Sequence, residues 1–224
     1  MNKLITLLFL VTLSLTALPQ GRGRGNQNKK PPTQPPIVSA WSLQLFNNST
    51  GQWEVGALLQ EGLVAFLFTD YPRTVHRLTK ANPGALYGNL SFSVTISTEG
   101  SPQFIKAPGD NPCNIPANFR AYVEAPDWYN PPYDYKRWWS NPQAVYLTGP
   151  TTVSMTIPIQ GDQWSSVFGA MGNSSNEAAM GFQQAMNNPG AAGFTFGAGC
   201  FFGHGIYVTG GTAKFNLTDF RVGF

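Results

Sequence analysis

Beyond residue 36, apolar and polar side chains alternate with period two in short runs separated by Gly, Pro and Asn. That is the pattern of strands with one face in a core and one outside it. AWSLQLFN predicts a first strand, closed by a turn at NNSTGQ. WEVGALLQEG and LVAFLFTD follow, the second apolar on both faces and therefore expected at the centre of a sheet. GNLSFSVTIST sets Leu90, Phe92, Val94 and Ile96 on one face, and ANFRAYVEA does the same with Phe119, Ala121 and Val123. AVYLT and TTVSMTIPI come next, the latter with Val153, Met155, Ile157 and Ile159 inward. AGFTFG, FFGHGIYVTG and TAKFNLTDFRVGF predict three more strands, with a two-glycine hairpin turn at TGGT, residues 209–212.

One segment changes period. SSNEAAMGFQQAMNNPG places Ser174 three residues before Glu177, a capping box, and then Ala178, Phe182, Ala185 and Met186 on one helical face before NNPG stops it. About nine strands and one short helix near residues 175–187, with no βαβ alternation, predict an all-β fold. The expected architecture is a two-sheet antiparallel β-sandwich, a jelly roll for preference because the strands are short and the connections long. An immunoglobulin-like sandwich is the alternative, but the cysteine spacing does not suit its core.

The ends of the pattern define three regions. Residues 1–20 carry Lys3 and then an apolar run, Leu4 to Ala17, too short for the roughly 20 residues of a membrane span and suited to a secretory signal peptide. Residues 21–36, GRGRGNQNKKPPTQPP, hold no core-forming side chain and read as a disordered linker; Arg22, Arg24, Lys29 and Lys30 offer a basic arm as the alternative. Residues 37–224 are left as a single domain, expected to be secreted or periplasmic and without a membrane span. Residues 1–36 hold five of the fourteen Lys and Arg and none of the eleven acids, so the domain itself is near neutrality. A basic nucleic-acid face is thereby excluded from the expectations. Cys113 and Cys200, alone in an exported chain, predict one disulfide. Closing its loop of nearly ninety residues would stabilise the fold by about 4 kcal/mol in the chain-entropy description.

Chemistry is sparse. No G-x-S-x-G, H-E-x-x-H, P-loop or dinucleotide fingerprint is present, and two Cys and two His at unrelated spacing make no zinc signature. His204 reads as a core or edge residue, about 13 Å along a strand from Cys200. His76 lies among Arg73, Arg77 and Lys80 in a basic loop, solvated or holding an anion. Asp110 and Asn111 read as a plain turn and Asp219 as an ordinary strand-end residue, so no cofactor is expected; structural calcium on their oxygens is the alternative.

The densest cluster is DWYNPPYDYKRWWS, residues 127–140, with six aromatic rings. Flat rings suit the C–H faces of sugars, and Asp, Asn and Arg suit their hydroxyls; the same rings also serve as protein contacts or as a core plug. Trp138 and Trp139 are neighbours on an extended backbone and point oppositely, so one joins Trp164 in the core. The candidate ligand-binding set is Trp128, Tyr129, Tyr133, Tyr135, Arg137 and Trp139, with Lys136 and Arg137 placed to stack on rings or hold Asp127 and Asp134.

TTVSMTIPIQGDQWSSVFG, the helix, and then GFTFGAGCFFGHGIYVTGGTAKFNLTDFRV resemble the C-terminal half of galactose-binding-like jelly rolls, including bacterial carbohydrate-binding modules. The resemblance spans about residues 119–224 and implies sugar binding, with Asp219 at a position of calcium or structural carboxylates. Residues 37–118 lack the opening that supplies the metal's other ligands in that family. The expected function is a non-catalytic domain binding carbohydrate or a cell-envelope glycan. The alternatives are a structural or adhesive domain with a protein partner, and a glycan hydrolase using Glu124, Asp127 or Asp134, whose paired carboxylates would stand roughly 5–10 Å apart.

Overall fold

Alternation becomes strand wherever Gly, Pro and Asn leave the chain free to pair, and a computed structural model shows which runs pair with which. It describes residues 41–59, 64–106, 115–141, 145–198 and 203–223, all within one unit, Val38–Phe224. Residues 1–40, Asp110, Asn111, Cys113 and Cys200 lie outside the described residues, and with them the signal-peptide, linker and disulfide expectations. Among the described residues no helix is long and apolar enough to cross a membrane.

The protein is an all-β antiparallel sandwich with one α-helix among the described residues. Its strands are β1 (Trp41–Asn47), β2 (Gln52–Leu59), β3 (Val64–Leu67), β4 (Arg73–Ala81), β5 (Asn89–Lys106), β6 (Asn118–Glu124), β7 (Arg137–Ser140), β8 (Val145–Tyr146), β9 (Thr151–Pro158), β10 (Trp164–Ser166), β11 (Ala191–Gly197) and β12 (Ile206–Val222); α1 is Asn176–Asn187. One layer runs β10-β7-β6-β11-β4, extended by β1 and β2; the other runs β9-β5-β12, extended by β3. Among the described residues the two are joined through one β4–β12 pairing, Val75 with Ile206.

The core fills the space between the layers. Phe194 of β11 sits 4.9 Å from Phe92 of β5, Phe119 of β6 sits 5.6 Å from Phe215 of β12, and Phe196 sits 5.7 Å from Phe66 of β3, ring centre to ring centre. Trp41, Leu78, Leu90, Val123, Trp138 and Trp164 are buried around them. Burial of side chains this large is the main stabilising term.

Four expectations need correction. LVAFLFTD is not central: β3 is four residues long, pairs among the described residues with β12 alone, and leaves Leu67 exposed. TGGT makes no hairpin. β12 runs through it against β5, which extends to Lys106, with a bulge between Thr209 and Gly211. Gly100 and Gly210 face this bulge at φ 76° each, so both strands kink together where only glycine is comfortable. The helix cap is Ser175 rather than Ser174: Ser175 Oγ accepts the Ala178 N–H at 3.1 Å, while Ser174 Oγ donates to the Met171 carbonyl at 2.7 Å. Ala178, Phe182, Ala185 and Met186 are the buried face of α1, as the spacing predicts. Finally, His76 and Arg77 lie on strand β4, not in a loop.

Candidate functional site

The face of the first layer turned away from the core is built by the alternate residues of the same strands. Across it, Ser165, Trp139, Tyr122 and Gly193 lie in register, and Arg137 pairs with Glu124 one step along. Thr195 pairs with both Arg120 and Arg77. This face is not simply wet: every residue of β6 and of β11 is buried.

A β-bulge completes it. Gln44 pairs with Arg77 and Leu45 with Val75, so β4 carries one extra residue, His76. Val75 and Leu78 remain fully buried in the core, and His76 and Arg77 both line the outer face. A bulge re-aims side chains in this way, and the pairing with β1 resumes on either side of it. His76 is fixed at both nitrogens, Nδ1 against the Gly203 carbonyl and Nε2 against Thr74 Oγ1, each at 2.9 Å. Since a carbonyl only accepts, Nδ1 carries the proton in this network. Gly205, at φ 88°, permits the close approach: a Cβ there would stand 2.4 Å from His76 Nε2.

These elements enclose a cavity of about 710 Å³, walled by Trp53, Trp128, Trp139 and Phe168 with His76, Arg77, Tyr122, Arg137, Ser166, Thr195 and His204 among its lining. Glu124 anchors the wall from behind, accepting from Arg77 Nη1 at 2.8 Å and from the Tyr122 hydroxyl at 2.6 Å. Burial first, and the adjoining Glu124 carboxylate second, push the Tyr122 phenol well above its usual range, so it stays a donor. Trp128 receives two guanidinium groups, Arg137 at 4.9 Å and Arg77 at 5.3 Å from its ring centre, and Arg137 also lies 5.7 Å from Trp139. At the base of the neighbouring strands, Arg120 reaches the Ser140 carbonyl and Asn141 Oδ1, and burial pulls its pKa down to about 10.

Among the described residues, four side-chain atoms of the lining are buried with no hydrogen-bond partner: Arg137 Nε, Trp139 Nε1, Ser166 Oγ and Thr195 Oγ1. Trp139, Ser166 and Thr195 are each at least 95% buried. Buried polar groups are nearly always satisfied, and leaving one unmade costs about 1–3 kcal/mol.

Of the six ligand-binding candidates, Trp128, Arg137 and Trp139 meet at this cavity. Tyr135 does not: it packs on the core, its ring stacked on Trp138 at 6.2 Å. Tyr129 and Tyr133, 62% and 43% exposed, stand outside the lining. The loop that carries them is pinned by Lys136, whose Nζ holds the Asp127 carboxylate and the Asn130 carbonyl; that contact draws Asp127 below the usual carboxylate range. Trp138 points to the core and Trp139 to the cavity, the predicted split, and Trp164 is buried. Asp219 is taken up by Arg221, Nε at 2.9 Å and Nη2 at 2.8 Å from one oxygen. No cluster of three or more His, Cys, Asp or Glu with metal-holding geometry occurs among the described residues.

Sequence reasoning missed Trp53, Tyr122, Thr195 and Phe168, and placed Arg77 in a loop. The signal for Tyr122 was present: RAYVE interleaves Arg120, Tyr122 and Glu124 with the core set. No family model, no curated protein and no solved structure matches this chain.

Proposed function

We propose that the cavity is a carbohydrate-binding site and that the protein is an exported, non-catalytic glycan-binding domain. The observation that carries this is the set of buried, unpartnered polar atoms at Arg137, Trp139, Ser166 and Thr195 in a cavity walled by aromatic rings. Rings provide flat apolar surface for a pyranose, and polar groups fixed between them supply orientation and specificity. Among the described residues no carboxylate lines the cavity, and Glu124 is held by two donors, so the two-carboxylate hydrolase draws no support from this geometry. The resemblance of residues 119–224 to galactose-binding-like jelly rolls and the leader-like residues 1–20 point the same way.

The test is titration of the protein with a panel of soluble oligosaccharides, read by tryptophan fluorescence and calorimetry. A saturable response is expected from one glycan class, weakened at least about tenfold by Trp128→Ala, in line with the loss of a stacked aromatic. Silence across the panel, or undiminished binding by a folded Trp128→Ala protein, would overturn the proposal.

A further inference from the structure

We infer that the glycan this cavity accepts is acidic, and that Arg137 receives its anionic group. The inference rests on the glycan-binding proposal and adds the ligand's chemical class.

It begins with the charges. Glu124 faces Arg137 across the β6–β7 ladder, yet its carboxylate is bound by Arg77 and Tyr122 instead. Asp127, the next acid along the loop, is bound by Lys136. Arg137 therefore stands half-buried against Trp128 and Trp139 with its Nε unpartnered. Its Nε is a charged donor out of water with no acceptor, and an anion delivered to it supplies one.

The donor set says the same. A sugar hydroxyl both donates and accepts, so a neutral sugar asks its site for acceptors as well as donors. The lining atoms left without a partner among the described residues are Arg137 Nε and Trp139 Nε1, which only donate, and the Ser166 and Thr195 hydroxyls, which donate or accept, so all four can serve as donors. No carboxylate lines the cavity among the described residues. Such a wall matches oxygens that only accept, those of a carboxylate or a sulfate ester, and the guanidinium fork suits either. The rings then hold the sugar's C–H face while the acid group is bound at Arg137.

Matched pairs test this on the full chain. One pair is an oligogalacturonate and its methyl ester; the other is a sulfated oligogalactan and its desulfated form. In one pair the charged member should bind roughly tenfold to a hundredfold more tightly, as a buried charge-assisted hydrogen bond implies, and which pair responds tells carboxylate from sulfate. Arg137→Gln should shrink that preference below about threefold, while Arg137→Lys keeps part of it and shows that the fold survives. Equal binding of charged and uncharged members in both pairs, or a preference untouched by Arg137→Gln, overturns this inference and leaves the glycan proposal standing. Silence from all four ligands and from neutral oligosaccharides overturns both.

Discussion

The two faces of β6 make an instructive pair. Phe119, Ala121 and Val123 point into the core, where Phe119 meets Phe92, Phe194, Phe196 and Phe215. Arg120, Tyr122 and Glu124 point the other way and are buried almost as deeply. Both sets are out of water, so burial alone does not separate them. On the inner face each side chain is satisfied by volume. On the outer face each polar atom needs a particular partner, and several at the cavity have none. A face that is buried but incompletely satisfied reduces stability where it stands, and is the kind of surface a ligand completes.

Substitutions can break this comparison. The largest effect belongs to the inner face: Phe194→Ala removes a ring in contact with Trp41, Phe92, Phe119, Phe215 and Phe220. It should cost about 4 kcal/mol in a denaturant titration, with the ligand affinity of the remaining folded protein unchanged. Next comes Glu124→Ala, which strands Arg77 and the Tyr122 hydroxyl on the outer face and should cost about 3 kcal/mol. Adding Arg77→Met should restore part of that loss, because the charge left unpaired is the one removed; a strictly additive double mutant would refute the pairing. Tyr122→Phe should cost about 1–2 kcal/mol at neutral pH. Its dependence on pH has a definite sign. The phenol's folded pKa is raised, so its contribution is complete below the ordinary value of about 10 and declines as pH rises above it, where the unfolded chain ionises first. Wild type should lose stability above pH 10 more steeply than Tyr122→Phe. Smallest of all, Tyr129→Ala should fall within about 0.5 kcal/mol of wild type and leave glycan binding intact, since the ring is exposed and outside the cavity.

Much of the inner face was legible in the chain, because period-two alternation and helical spacing are local and name the core directly: Leu90, Phe92, Val94 and Ile96, or Ala178, Phe182, Ala185 and Met186. The division of Trp138 from Trp139 was legible for the same reason. The cavity was legible only where it touched a conspicuous cluster. Trp53, Arg77, Tyr122 and Thr195 come from four strands far apart in sequence and share a wall through register alone. Tyr135 turned inward because the lysine-pinned loop lays it on Trp138, a tertiary event with no local signature. TGGT failed as a turn because the partner strand bends with it, and hairpin propensity cannot see a partner.

His76 has a consequence of another kind. Leu45 faces Val75 and Gln44 faces Arg77, so excising His76 would leave consecutive residues facing consecutive residues, with Val75, Arg77 and Leu78 already in phase. The strand is thus complete without it. A single-codon deletion at this position removes one functional group from the cavity wall and leaves the core residues on either side in phase. A one-residue shift would ordinarily scramble inside and outside along a whole strand; here an offset confined to one residue makes the wall editable while the interior stays constant.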